Sequence, residues 1–544
     1  MTRFYKSLVI IFFIVFLLVL GANIKCTGSL DIFERPQKLL VLNSQKIDRA
    51  NTVSNFSTYF GGVDDESSGS MVLDSVGNII LAGRTDSVNF PTVNAYQNIS
   101  GGRNDIFVSK FSADGQTLLF STLLGGGGED SCWDVALDAA DNIVIAGTTS
   151  SLNFPTVNAY QNTFGGGDFD VFVAKFSADG QSLLFSTYFG GSDRDWSNDL
   201  TTDTNGNIIV TGSTSSDDFP TMNAYQGNNN SLIDVFVAKF STDGQTLLFS
   251  TYLGGNANDW ASGLATDANE NIIVTGGTNS SDFPTANAYQ GSHNGGEMDA
   301  FVTKIRTDGE TLLFSTYLGG SNGGDFGISV DVSPTGNIAI VGNTNSNDFP
   351  ITENVFQNTS GGALDVFLME FSNDGQTLLF STYLGGSLDD SGYELFYDGS
   401  SIIITGPTDS RNFPVVNGSQ QFHGGGSRDA FVAKFSTEGR TLVFSTYLGG
   451  SGEEIGDAIA VDATGNIVIV GETTSSDFPT LNAYQETYGG RQDLYIRNCG
   501  FIGKYTNIEP SETTTPIPTP GFEQLIVVFG LALVVVAIKK RKKH

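Results

Sequence analysis

The sequence predicts an all-β fold: a seven-bladed β-propeller of four-stranded antiparallel blades, closed by an N-terminal strand. Three observations carry this reading. A Phe-Pro pair recurs at Phe90, Phe154, Phe219, Phe283, Phe349, Phe413 and Phe478, at spacings of 64, 65, 64, 66, 64 and 65 residues. Each period holds four β-type segments separated by turn residues. A lone copy of the fourth segment, Phe56-Ser-Thr-Tyr59-Phe-Gly61-Gly62, precedes the first complete period. Self-similarity at a fixed period marks a repeat architecture. A closed ring with shared terminal strands removes the sheet edges that a linear array would expose.

Composition agrees. The chain has 544 residues, of which 66 are Gly, and only 16% are charged, which argues against a helical bundle. With 39% hydrophobic residues a packed core is expected rather than disorder. Lys and Arg number 27 against 59 Asp and Glu, so a basic nucleic-acid-binding surface is excluded. Three Cys and three His leave no disulfide framework and no His-rich metal site.

The strands are read from one period. Asp199 to Asp203 lies in a first strand, and the Asn205-Gly206 turn leads to a second, Asn207 to Gly212. After a long loop containing Phe219-Pro220 and Asn223-Ala-Tyr225, the third strand is Asp234 to Phe240. The Asp243-Gly244 turn then gives the fourth, Thr246 to Tyr252. Asn-Gly and Asp-Gly supply the positive φ that tight hairpins need, and the β-branched and aromatic content suits strands. The seventh copy lacks its own fourth strand, so the N-terminal segment is expected to complete that blade. Leu494 to Gly500 reads as an insertion before its third strand.

The ends have a different character. A basic start followed by the apolar run Leu8 to Leu20 reads as a secretory signal helix, with residues 1–26 as the signal peptide and 27–52 as a lead-in. The propeller is assigned to 53–507. Residues 508–521 form a Thr/Pro-rich spacer. Residues 522–544 read as a membrane anchor or sorting tail: an apolar stretch, Leu525 to Ile538, and a basic end, Lys539 to Lys543. The basic end is expected on the cytoplasmic side, which puts the propeller outside the cell. Pro520-Gly521-Phe522, the short apolar helix and the basic cluster together resemble the archaeal PGF-type sorting tail. That resemblance implies cleavage and attachment to membrane lipid, although Glu523 and Gln524 depart from the pattern.

The repeats resemble the SBBP family of β-propeller repeats through Gly190-Gly191, Asp195, Asp203, Gly206-Asn207-Ile208, Gly212, Phe219-Pro220, Asp234, Phe236, Lys239-Phe240 and Asp243-Gly244. The resemblance implies the propeller fold and occurrence at the cell surface, and assigns no chemistry.

Two carboxylate rings follow from the repeat. The first, Glu66, Asp130, Asp195, Asp259, Asp325, Asp390 and Glu454, is expected at one mouth of the central channel. There it could hold a hard cation such as Ca²⁺. The competing reading, favoured by repetition in every blade, is that each carboxylate accepts backbone hydrogen bonds from a turn. The second ring, Asp105, Asp170, Asp234, Asp299, Asp365, Asp429 and Asp493, opens the third strands and reads as structural. Asp74, Asp138, Asp203, Asp267 and Asp462 read as turn residues on the opposite face.

Residues that break the symmetry are better interaction candidates. Trp133, Trp196 and Trp260 are placed together at the entry to three consecutive first strands. With Arg194, Asp193 and Asn258 they form a candidate carbohydrate- or peptide-binding patch. The Phe-Pro and Asn-Ala-Tyr loops are expected to pack onto their own blades. His293 and His423 read as solvent-exposed loop residues, and a disulfide between Cys132 and Cys499 is left open. No nucleophile elbow, zinc signature or P-loop occurs. The function expected is a membrane-tethered, monomeric cell-surface module that binds glycans or envelope proteins. The alternatives are an extracellular hydrolase or lyase using channel-mouth carboxylates, and a purely structural envelope component.

Overall fold

The computed structural model describes residues 54–489 and 499–505. The signal, lead-in, spacer and tail assignments lie outside them, and no helix among the described residues is long and apolar enough to cross a membrane. Within them the chain forms seven four-stranded antiparallel sheets. Blades 1 to 6 each use four consecutive strands, and the seventh is completed by the N-terminal strand Ser54–Phe60. That strand pairs with Cys499–Tyr505, Thr58 lying opposite Ile502 and Tyr59 opposite Phe501. Ring closure by the lone segment is therefore observed.

Blade 3 shows how the sequence builds a blade. Its strands are Asp195–Thr202, Ile208–Thr214, Asp234–Phe240 and Leu247–Leu253. The first begins four residues before the expected Asp199, because Asp195, Trp196 and Ser197 already pair with Thr214, Ser213 and Gly212. Gly244 turns the chain with φ +72°, and its Cα lies against the Phe185 ring of blade 2, where a side chain would clash. The core is divided into wedges between successive blades. Phe189 of blade 2, for example, meets Phe219, Phe236 and Phe240 of blade 3 with ring centroids 4.7–6.0 Å apart.

The long loops combine two contacts. Phe219 packs on its own blade against Phe236 and Tyr252, as expected. Tyrosines of these loops also reach the next blade: Tyr96 meets Phe176, Tyr160 meets Phe240 as well as Phe189 of its own blade, and Tyr289 meets Phe371. Asn158, Asn223 and Asn287 adopt positive φ there, which Asn tolerates because its amide bonds locally. The Asn158 side chain donates to the Leu184 carbonyl.

A second set of ties runs along the opposite face. Each turn aspartate accepts backbone N–H bonds from its own turn and a salt bridge from the third-strand lysine. Asp203 takes Asn205 and Asn207 N–H and the Lys239 ammonium at 2.9 Å, both charged side chains being nearly fully buried. Lys239 then reaches Thr307 of blade 4, and Lys175 likewise bonds the Thr242 carbonyl of blade 3. In blade 5 the pair is replaced by Ser333 and Glu370, and the buried Glu370 Oε1 has no hydrogen-bond partner.

The last blade corrects one assignment. Its third strand begins at Cys499, which pairs with Thr473 as Asp234 pairs with Thr214. Cys499 thus takes the register of the second carboxylate ring, and Asp493 falls outside the described residues. Cys132, on the first strand of blade 2, is buried and free.

Candidate functional site

The first strands of all seven blades face one another around a central channel of about 1120 Å³. An innermost strand has a sheet neighbour on one side only, so its other edge needs partners. In six blades the pairing of first and second strands slips by one residue at the fourth position, as between Ser197 and Asp199. A bulge of this kind leaves one residue unpaired and re-aims its side chain. The residues at this position are Gly69, Trp133, Asn198, Ser262, Ile328, Tyr393 and Asp457, all different and all on the channel wall.

The wall carries carboxylates at the fourth position (Asp457), the fifth (Asp134, Asp199 and Glu394) and the seventh (Asp331). Asp134 accepts the Leu200 N–H of the next blade at 2.8 Å, and Asp199 accepts the Leu264 N–H at 2.6 Å. The Ser329 hydroxyl donates to Glu394 at 3.0 Å, and Ser68 donates to Asp457 at 2.7 Å. Asp331 accepts the Tyr397 N–H at 2.9 Å. Burial and the Asp134 charge push Glu394 up to about 8. Burial and the same neighbour raise Asp199 well above the usual carboxylate range, and Asp134 and Asp199 are hydrogen-bonded to each other. Carboxyls facing one another with little water share protons in this way.

The expected aromatic patch is split. Trp196 and Trp260 hold the second position of their strands and Trp133 the fourth. Two residues along a strand are about 7 Å. Trp133 therefore belongs to the channel, 41% exposed, with its indole N–H donating to Thr148 at 3.3 Å. Trp196 instead lines a separate depression of about 300 Å³ with Asp168, Asp193 and Arg194. Arg194 pairs there with Asp168. Trp260 is half-buried and lines neither of these cavities. Asn258 accepts the Asn279 N–H through its backbone carbonyl.

The first carboxylate ring opens the first strands but does not line the channel. Asp195 is fully buried and accepts Gly191 N–H at 2.7 Å and the Ser216 hydroxyl at 3.0 Å. Asp130, Asp259, Asp325 and Asp390 repeat both bonds, to Gly126 and Ser151, Gly255 and Ser280, Gly320 and Ser346, and Gly386 and Ser410. Glu66 and Glu454 make the same clasp with a longer side chain. Each carboxylate ties the turn entering its strand to the turn leaving the second strand. Burial outweighs these bonds and pushes Glu66, Asp195, Asp259 and Glu454 up to about 7. It takes Asp325 and Asp390 to about 6. Among the described residues, no group of three or more His, Cys, Asp or Glu converges as a metal centre requires.

The two loop histidines are not solvent-exposed. The His423 side chain is 3% exposed, with Nδ1 3.4 Å from Asp429, and burial lowers its basicity. His293 sits similarly, 3.9 Å from Asp299, and both rings stand edge-on to a tyrosine. Phe164 fills the same place in blade 2, against Tyr188. Aromatic packing explains all three.

No curated protein matches the chain. Solved structures that match the chain include a protein of unknown function from Dyadobacter fermentans, with 10% identity and a TM-score of 0.38, covering 83% of this chain and 99% of that one. A structure described as YCF48 bound to D1 peptide has 9% identity and a TM-score of 0.40, covering 84% and 96%. A mutant of the NanB sialidase from Streptococcus pneumoniae has 10% identity and a TM-score of 0.38, covering 82% and 70%. Residues 184–220, 248–284, 313–350 and 443–479 match the beta-propeller repeat model SBBP. Each matched segment runs from the fourth strand of one blade to the Phe-Pro pair of the next, so these SBBP-type repeats are offset from the blades by one strand.

Proposed function

We propose that the propeller is the binding module of an exported, membrane-tethered chain, and that it displays the central channel to glycans or envelope proteins at the cell surface. The observation that carries this reading is the fourth-position register of the channel wall. Every blade differs there, while the clasps around it repeat. Structural positions in a repeat are held alike by the same packing problem, whereas a ligand of lower symmetry needs unlike groups. The exposed Trp133, with Asn198, Ser262 and Tyr393 on the same wall, offers an aromatic face beside hydrogen-bonding groups. The tethering rests on the apolar and basic character of the two chain ends.

A hydrolase is the second reading, favoured by the hydrogen-bonded carboxyl pair Asp134–Asp199 in the channel. A glycan and envelope-protein array probed with the intact chain separates them. Binding that falls at least tenfold in Trp133→Ala, with no turnover of the captured ligand, supports the binding module. Equal binding by the variant overturns the channel as its site, and turnover lost in Asp199→Asn transfers the reading to the hydrolase.

A further inference from the structure

The carboxylates of this fold fall into two electrostatic classes. On the turn face, Asp74, Asp138, Asp203 and Asp267 each meet a buried lysine ammonium at 2.7–2.9 Å. Among the described residues the channel has no such partners. Its described lining includes Asp134, Asp141, Asp199, Asp331, Glu394 and Asp457, and not one Lys, Arg or His. Backbone N–H groups and serine hydroxyls satisfy single oxygens of these groups but bring no countercharge, so burial and mutual repulsion hold Asp199 and Glu394 protonated in the channel, and an entering cation would ionise them. Asn198, also on the wall, has a buried Oδ1 that no donor reaches. The cavity is rich in acceptors and poor in cationic donors.

Shape and the aromatic wall narrow the ligand further. Eight-residue first strands give a channel wall about 25 Å long at about 3.3 Å per residue. The acids are spread along and around it and do not converge on one point, which disfavours a single metal ion. Trp133 presents an exposed ring next to Asp134, and Tyr393 stands beside Glu394. An ammonium carries three N–H donors and no acceptor, and is attracted both to carboxylates and to aromatic faces. A neutral saccharide would bring as many acceptors as donors to a wall already crowded with acceptors.

Resting on the reading of the channel as the binding site, we propose that the channel takes an extended chain bearing alkylammonium groups. The ammoniums lie against Asp134, Asp199 and Glu394, and an alkyl stretch runs along Trp133. The chemistry is common to a linear polyamine and to lysine side chains of a protein segment threaded from the rim.

Calorimetric titration of the intact chain at pH 7.5 with spermine, and separately with an N-acetylated penta-lysine peptide, tests this. Fully acetylated spermine is the uncharged control. Because the whole surface is anionic, an Asp217→Asn, Glu353→Gln variant on the exposed loops accompanies an Asp199→Asn, Glu394→Gln channel variant. Both channel changes keep an acceptor oxygen for the backbone or hydroxyl donor present. The expected result is binding of at least one amine, unchanged in the loop variant, weakened tenfold or more in the channel variant, and absent with acetylated spermine. Tighter binding of the peptide assigns the ligand to a protein segment; tighter binding of spermine assigns it to a free polyamine. Equal affinity of wild type and channel variant, binding of the acetylated control, or no binding of either amine overturns the inference. If Trp133→Ala still abolishes capture on the array, the channel remains the site and only its amine preference fails.

Discussion

Asp199 on blade 3 accepts the backbone N–H of Leu264 on blade 4 at 2.6 Å, a hydrogen bond that joins two innermost strands across a seam. Asp134 and Leu200 repeat it one seam earlier. Sheet pairing cannot satisfy these N–H groups, so a neighbour's side chain does. Asn keeps the acceptor and removes the repulsion from Asp134 and Glu394. Asp199→Asn is therefore expected to leave stability equal or slightly higher at pH 7.5. Asp199→Leu strands the donor and is expected to cost about 1–3 kcal/mol. Paired denaturant titrations check this, and a loss in the Asn variant as large as in the Leu variant would sink it.

The Lys239–Asp203 pair gives a sharper test of the turn face. Both side chains are at most 7% exposed. Removing one partner of a buried pair leaves an uncompensated charge and typically costs about 3–5 kcal/mol, so Lys239→Met is expected to lose that order of stability. Blade 5 lacks the tie, with Ser333 and Glu370 in its place. Restoring it with Ser333→Asp plus Glu370→Lys is expected to raise the melting temperature by several degrees. A destabilised double variant would show that Glu370 has a role of its own.

Stability is expected to rise on mild acidification. Burial raises the carboxyls of the first ring, Glu66, Asp195, Asp259 and Glu454, to about 7. The folded state therefore holds protons that the unfolded chain has released. Groups raised in this sense stabilise fully below their unfolded range near 4, and that contribution disappears as pH climbs through about 7. At Asp203 burial pushes upward too, but bonds from Lys239 and Asn207 outweigh it and leave the group lowered. The contribution of such groups is present above their unfolded range and is lost only in stronger acid. Melting temperatures should climb from pH 8 to about pH 5 and fall below about pH 4. A flat or opposite profile between pH 8 and 5 would refute the assignment of the clasps.

Tyr59 tests closure. Its hydroxyl donates to the Ser475 carbonyl at 2.8 Å and accepts the Phe478 N–H at 3.0 Å, linking the first strand to the last blade. Tyr252 and Tyr447 make the same pair of bonds within single blades. Tyr59→Phe is expected to cost about 1–2 kcal/mol and to speed proteolysis near residue 54 more than Tyr252→Phe does. Equal proteolysis in the two variants would show that the closing strand is no weaker than the rest.

The fold was legible because seven Phe-Pro pairs, the Gly turns and the lone strand before Ser70 are properties of the chain read in line. The clasps were legible too, since Asp130 or Asp195 recurs at a fixed distance from its Gly-Gly pair. The channel was not. Asp134, Asp199 and Glu394 are separated by 65 residues or more along the chain and come to face one channel only when the ring closes. The three Trp residues looked equivalent because each follows a ring carboxylate closely. A two-residue offset and a bulge, both set by pairing with the second strand, put Trp133 on a different surface from Trp196. The available signal was a column in which Gly69, Trp133, Asn198, Ser262, Ile328, Tyr393 and Asp457 all differ.

Joining Ser54–Phe60 to Cys499–Tyr505 also sets an order in time. A ribosome delivers the closing strand several hundred residues before its mate exists, so the nascent polypeptide must carry a naked edge through nearly all of its synthesis. Folding is then gated by the arrival of the final segment. Truncation anywhere upstream of it would yield an unlatched, aggregation-prone arc in place of a smaller ring.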